Sequence, residues 1–586
     1  MQIDFSRSII DIVLDHENSV PDRPALIFDT GEGPQDSLSY AQTAARVRQI
    51  AGSLSARGLT GRRIALLFSA GTDFALALLA CLAVGGVAVP LAPVGRRRAR
   101  LQNILSMLGD IRPDGVMLDD SMAGLFGQEL SAALPGTVSY LEFSGLAGEA
   151  HPFTPLRLEP DRLAVLQYTS GTTSNPKGVM ITHGNIIANE TMIKAAFGHD
   201  GDSHFVGWVP HYHDQGLFGN ILQPLFLGST CVITSPAAFI NKPMSWLQLI
   251  SRYRAHTSGG PNFGYDLCVD YATRRGMPEL DLSSWRVAFN GAERVRPSTM
   301  DRFAECFADA GFDRRAFLPC YGLAESTLVT IAVPPWSEPV IRTYDSRALA
   351  AGRAEESDEG LDLACCGPAM AGGEARIVDP GTGEPLPDGA VGEIWLRGPH
   401  IAAGYIDNEA ATQATFSGRL DEDGPFLRTG DLGFSTAEGF FIVSRLKDLI
   451  IVRGRNYAPS DVEHIWSEIS GTVGQASAAA VEVEVEGVQH IVLIAEMKRD
   501  EARTLSSEAL QETAGKLRAI AMERLELGIT DLVMVPASAI PRTTSGKVQR
   551  KQAARILMEG ELAILGMTGP LEQAFEPSRQ TASASG

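Results

Sequence analysis

An apolar, strand-like run at 163–168 opens into a segment of hydroxyls and glycine: Thr169, Ser170, Gly171, Thr172, Thr173 and Ser174, closed by Pro176, Lys177 and Gly178. Phosphate oxygens only accept hydrogen bonds. Hydroxyls, bare backbone N–H groups and one ammonium are therefore the donors a polyphosphate needs. The lysine precedes its glycine and no Ser or Thr follows, which excludes the G-x-x-x-x-G-K-[ST] loop. A Ser/Thr-rich surface turn is the plainer alternative, and the strand in front and the P-K-G ending argue against it. Further along stand residues equally able to do chemistry. Glu325 closes Y-G-L-A-E, Asp431 closes R-T-G-D, and Lys547 closes a Ser/Thr-rich loop. Alone, each has a duller reading: a helix-start acid favoured by the dipole, a turn residue, a solvated lysine.

Taken in order, these segments resemble the adenylate-forming superfamily of acyl-CoA synthetases, luciferases, peptide-synthetase adenylation domains and fatty acyl-AMP ligases. After the phosphate loop come N-G-A-E (Asn290, Gly291, Ala292, Glu293) and Y-G-L-A-E (Tyr321, Gly322, Leu323, Ala324, Glu325). R-T-G-D, R-L-K-D (from Arg445) and P-R-T-T-S-G-K (to Lys547) follow, so the resemblance runs over residues 20–565. It implies an enzyme that joins a carboxylate to the α-phosphate of ATP and expels pyrophosphate, with Mg²⁺. It further implies that Thr169, Ser170, Gly171, Thr172, Thr173 and Lys177 gather the phosphates and that Glu325 holds the Mg²⁺. Tyr321 is then expected on adenine, the 290–293 backbone along the base edge, and Asp431 on the ribose hydroxyls with Arg445 beside it. Lys547 is expected to bridge the attacking carboxylate and the α-phosphate, a positional and electrostatic role. Lys447 matches the hinge, although Ser444 stands where a glycine is usual.

Two further segments resemble the fatty acyl-AMP ligase branch. One is W-V-P-H-Y-H-D-Q-G-L at 208–217, which would place His213 where the acyl carboxylate meets the nucleotide. A metal reading of His211, His213 and Asp214 lacks a fold-backed ligand set. The other is the run 258–268, so that Trp208, Gly260 and Phe263 are expected along an acyl tunnel. The long connection between Glu325 and Cys366 matches that branch's insertion, placed at 331–364. Such enzymes pass the acyl group to the phosphopantetheine thiol of an acyl carrier protein, here in trans. The alternatives are a fatty acyl-CoA ligase or a catalytically inactive acyl- or nucleotide-binding protein.

The elements that must position these residues follow an α/β pattern. Apolar strand-like runs (63–68, 163–168, 229–234, 285–290) alternate with helical stretches, as in sheets covered by helices. After Gly392 short strands and turns form a β-rich subdomain. The expected division is a large domain at 1–446, a smaller mobile α+β domain at 447–566 carrying Lys547, and a disordered tail at 567–586. The uncharged run 74–94 has the length of a membrane span, but it is broken at Gly85 and Gly86 and carries Pro90 and Pro93. It reads instead as a buried helix (74–84) followed by a buried strand (86–91). A net charge of −20 argues against nucleic acid or anionic membrane as partner. Seven dispersed cysteines and an acidic start without an apolar leader point to the cytoplasm.

Overall fold

The structure, a computed structural model, describes residues 2–93, 98–148, 151–169, 177–420, 423–452, 455–470, 478–485, 487–497, 505–543 and 547–572. Two mostly parallel sheets build the large unit. The first has eight strands, in the order Ile331–Ala332, Phe317–Tyr321, Val287–Asn290, Thr257–Gly260, Phe205–Gly207, Cys231–Ile233, Pro24–Asp29 and Pro34–Ser39. Its inner pairs are parallel and only the edge strands run antiparallel. The second has six: Ser139–Glu142, Gly115–Leu118, Arg63–Leu67, Val87–Leu91, Leu163–Thr169 and Lys177–Thr182. Such strands are buried on both faces, so they read as continuous apolar runs rather than alternating ones.

The uncharged run 74–94 divides as expected. Helix Thr72–Ala83 buries every residue except Asp73, and strand Val87–Leu91 sits inside the six-stranded sheet. Gly85, at φ +62°, makes the left-handed turn between them. Among the described residues no helix is long and apolar enough to cross a membrane.

A five-stranded antiparallel sheet follows, with Asp423–Thr436 at its centre and Gly439–Arg445 paired to it. The last unit is a four-stranded sheet, Ala478–Val485, Val488–Met497, Asp531–Pro536 and Gly566–Thr568, backed by helices Pro459–Ser470 and Ser507–Leu525. Its end corrects the expected tail boundary. Strand Gly566–Thr568 pairs with Asp531–Pro536, and the buried Leu571 donates its N–H to Asp531 Oδ1 at 2.8 Å. The packing of this closing strand thus draws residues 567–572 into the fold. The rest of the expected tail, 573–586, lies outside the described residues.

Three buried histidines make the fold acid-sensitive. His183, His211 and His400 are each held down to about 4, chiefly because burial disfavours the imidazolium, with the Arg162 charge adding to it at His183. Their unfolded value is 6.5, so the unfolded chain binds more protons between these limits. Stability is full above pH 6.5 and falls as pH drops towards 4, by up to about 3 kcal/mol per histidine. Urea unfolding midpoints should therefore be clearly lower at pH 5 than at pH 7. A flat profile would contradict the neutral burial.

Candidate active site

Four of the motifs leave the carboxyl ends of four adjacent parallel strands. Phe205–Gly207 runs into Trp208 and His213, Thr257–Gly260 into Phe263, Val287–Asn290 into Glu293, and Phe317–Tyr321 into Glu325. Ligands of open α/β sheets bind in the crevice beyond these ends. The topology therefore brings together segments more than a hundred residues apart.

Trp208 is buried, and its ring lies so close to the next strand that a Cβ at Gly260 or Gly264 would stand 2.6 Å from Cζ2. Those two positions exclude any larger residue while the indole stays there. Phe263 meets Trp208 edge-on, with centroids 5.5 Å apart. His213 Nδ1 is 2.5 Å from Asp214 Oδ1, just before a π-helical turn at Gln215–Leu222. Burial works against the Asp214 charge, yet the neighbouring His213 and then Lys547 hold its carboxyl below the usual range.

Lys547 enters the same cleft from the small unit. Its backbone N–H donates to Thr543 Oγ1 at 3.1 Å, and Thr543 N–H returns a bond to its carbonyl at 2.8 Å. Burial pushes the ammonium pKa down, with Arg445 adding repulsion, while Asp214, Asp431 and Glu293 pull it back up. Lys547 is thus within electrostatic reach both of Asp214, beside His213, and of Asp431.

Asp431 and Arg445 are register partners on paired strands. Asp431 Oδ1 accepts from Arg445 Nε at 2.8 Å, and Oδ2 accepts from the Tyr321 hydroxyl at 2.7 Å. Tyr321 is buried among Ile331, Ile377 and Ile394 with that hydroxyl turned to the carboxylate. In the N-G-A-E turn, Ala292 takes φ +66°, and Glu293 Oε1 accepts the Asn262 N–H at 2.9 Å. Asn290 Nδ2 donates to Asn262 Oδ1 at 3.1 Å. Gly322 cannot carry a side chain, because a Cβ there would lie 1.7 Å from the Leu328 carbonyl oxygen. Leu323 and Ala324 lead from it into a short 3₁₀ turn holding Glu325.

Of the phosphate loop, Ser170, Gly171, Thr172 and Thr173 lie outside the described residues. Its two ends are described: Thr169 and Lys177 face each other across an antiparallel pair. Lys447 sits in a 3₁₀ turn, Leu446–Asp448, between the five-stranded sheet and the small unit. Burial, then Arg445, lowers its pKa.

Sequence reasoning missed Tyr405, whose hydroxyl donates to Glu325 Oε1 at 2.7 Å while Lys177 Nζ lies 4.5 Å above its ring. It also missed the Arg294–Asp461 ion pair, which joins the residue after Glu293 to the first small-unit helix with both side chains largely buried.

This site on this fold is that of an adenylate-forming ligase, and the chain belongs to the AMP-binding enzyme family, whose model matches residues 14–406. It is 36% identical over 569 residues to the medium-chain-fatty-acid–[acyl-carrier-protein] ligase JamA of Moorena producens, covering 95% of this chain and 96% of that protein. The long-chain-fatty-acid–AMP ligase FadD23 of Mycobacterium tuberculosis is 34% identical over 557 residues, covering 91% and 93%. Among solved structures, the fatty acyl-adenylate ligase from L. pneumophila in complex with acyl adenylate and pyrophosphate superposes with a TM-score of 0.73. The two chains are 31% identical, with 96% and 98% covered.

Proposed function

We propose that the protein is a fatty acyl-AMP ligase that activates a fatty acid with Mg·ATP and hands the acyl group to the phosphopantetheine thiol of a separate acyl carrier protein. The observation that carries this is the meeting of four motif segments at the carboxyl ends of adjacent parallel strands, with Asp431 bonded to Tyr321 there and Lys547 in the field of Asp214 and Asp431. One oxygen of the fatty acid carboxylate attacks the α-phosphorus, the bond to the β-phosphate oxygen breaks, and pyrophosphate leaves with that electron pair. Lys547 would draw both anions together and stabilise charge on the transferring phosphoryl group. Asp431 keeps acceptor capacity for ribose hydroxyls beyond its two present bonds. In the second step the carrier's thiolate attacks the acyl carbonyl and AMP departs.

The donor set suits Mg²⁺, which takes one or two carboxylates and completes its shell with phosphate oxygens and water. Glu325 would hold it, with one oxygen already fixed by Tyr405. When bound, the ion neutralises charge on the leaving phosphates. Among the described residues no cluster of three metal-ligating side chains offers a different site.

The segment 331–364 is read as a restraint on the small unit that disfavours free coenzyme A. Three contacts support this. Trp336 lies between Arg286 and Arg315, at 3.8 and 4.9 Å from ring centroid to guanidinium carbon, on the large unit. Arg347 pairs with Glu526 of the small unit at 2.9 Å. Ala350 is buried in the same apolar cluster as Tyr457, Val462 and Trp466. Ile331 and Val333 are buried at its start, and the acidic stretch 355–359 faces solvent. Replacing 335–362 by a short Gly/Ser linker should leave acyl-AMP synthesis in place and raise acyl-CoA formation. No gain in a folded, adenylating variant counts against the restraint.

The overall assignment is tested by pyrophosphate release across a fatty-acid chain-length series, with coenzyme A or a phosphopantetheinylated carrier as acceptor. Pyrophosphate release that depends on fatty acid, with acyl transfer to the carrier only, is expected. Efficient acyl-CoA formation by the unmodified protein would remove the acyl-AMP ligase assignment in favour of an acyl-CoA ligase.

A further inference from the structure

Tyr405 belongs to none of the motifs, yet it touches two of them. Segment 402–406 lies against the strand that leaves the phosphate loop. Met180 N–H donates to Gly404 O and Ala403 N–H to Met180 O, both at 2.8 Å, and Ile406 N–H donates to Gly178 O at 2.9 Å. At its other end, Ala402 N–H donates to Glu325 O at 2.9 Å. The backbone of this short segment thus ties the loop's exit strand to the turn bearing Glu325. Tyr405 repeats the link with its side chain: ring beneath Lys177, hydroxyl on Glu325. Its own position is fixed by the Thr412 hydroxyl, which accepts the Tyr405 N–H at 2.9 Å, and by edge contact with Phe416 at 5.3 Å.

We propose that Tyr405 is a positioning residue that sets the Glu325 carboxylate and the Lys177 ammonium in register for one Mg·triphosphate. The proposal rests on the roles given above to Glu325 and Lys177. A phenol donating to one carboxylate oxygen fixes the carboxyl plane and leaves the other oxygen for a ligand, as second-shell donors do at metal sites. The aromatic face meanwhile limits where the Lys177 ammonium can rest. A tyrosine that merely filled space would need one acceptor for its hydroxyl, and a backbone carbonyl would serve. Instead the acceptor is the one carboxylate in the Y-G-L-A-E turn.

The test separates the two halves of the side chain. Binding of α,β-methylene-ATP is measured by calorimetry while Mg²⁺ is titrated, for the wild type, Tyr405→Phe, Tyr405→Leu and Glu325→Gln. Tyr405→Phe keeps the ring and loses the donor. It should raise the Mg²⁺ concentration for half-maximal binding about tenfold, with affinity at saturating Mg²⁺ and the thermal midpoint unchanged. Tyr405→Leu loses both and should also weaken binding at saturating Mg²⁺, about fivefold. A Mg²⁺ midpoint unmoved by Tyr405→Phe but moved by Glu325→Gln overturns the proposal and keeps the Glu325 role. A midpoint unmoved by either removes the Glu325 reading and the proposal with it.

Discussion

Lys547→Ala should abolish acyl-AMP formation, by about 10²- to 10³-fold or more, the effect of removing one preorganised donor at developing charge. ATP binding should be nearly unchanged, because the residues proposed to hold the ribose and phosphates are on the large unit. Transfer from supplied acyl-AMP to a loaded carrier should survive, since adenylation alone brings two anions to this cation. The reason is geometric. The side chain is held in the field of Asp214, Asp431 and Glu293, and the clasp between Thr543 and Lys547 fixes the loop that delivers it. Pyrophosphate release and AMP release from supplied acyl-AMP read the two steps separately. Equal loss in both would falsify the role.

Asp431→Ala should weaken ATP binding by about 2–5 kcal/mol, through the loss of charge-assisted bonds to the ribose hydroxyls. The structure adds a second cost. The substitution also strips Arg445 and the buried Tyr321 hydroxyl of their shared acceptor, worth about 1–3 kcal/mol of stability. Affinity and thermal midpoint must therefore be measured together, with Asp431→Asn as the variant that keeps volume and one acceptor. An unchanged ATP dissociation constant with a lowered midpoint would make Asp431 a structural residue only.

The sequence carried the large features well, for physical reasons. Parallel strands buried on both faces are continuous apolar runs, and the phosphate loop and the four motifs of the eight-stranded sheet begin where such runs end. The helix Thr72–Ala83 was legible because glycines and prolines interrupt the apolar run before it can span a bilayer. The nearness of Asp431 and Arg445 was implied by the family resemblance, and the hairpin that sets them opposite one another is its physical basis. Tyr405 was not legible, since its partners Glu325 and Lys177 are far away in the chain and share no local period with it. The same holds for Arg294 and Asp461, an ion pair made only when two units meet. Trp336 packs against an apolar cluster of the large unit, as an apolar residue should, and two arginines also flank its ring. No pattern around residue 336 announces Arg286 or Arg315. The tail boundary failed likewise: a mostly polar composition concealed one short strand and two buried residues, Met567 and Leu571.

Ala350 packs within the apolar cluster of the small unit, although nearly a hundred residues of chain separate it from the turn at Lys447. Chimeras that exchange catalytic lids between related ligases are naturally cut at such a turn. Here that cut would divide a shared core. A transplanted lid would arrive with a shallow apolar hollow at Tyr457 and Leu525, and the recipient would keep a helix, Ser346–Ala350, shaped for a different surface. The transferable part is discontinuous, comprising the lid and that short helix together. Exchanging both should give soluble hybrids, whereas exchanging the lid alone should give proteins that aggregate or bind dyes specific for exposed apolar surface.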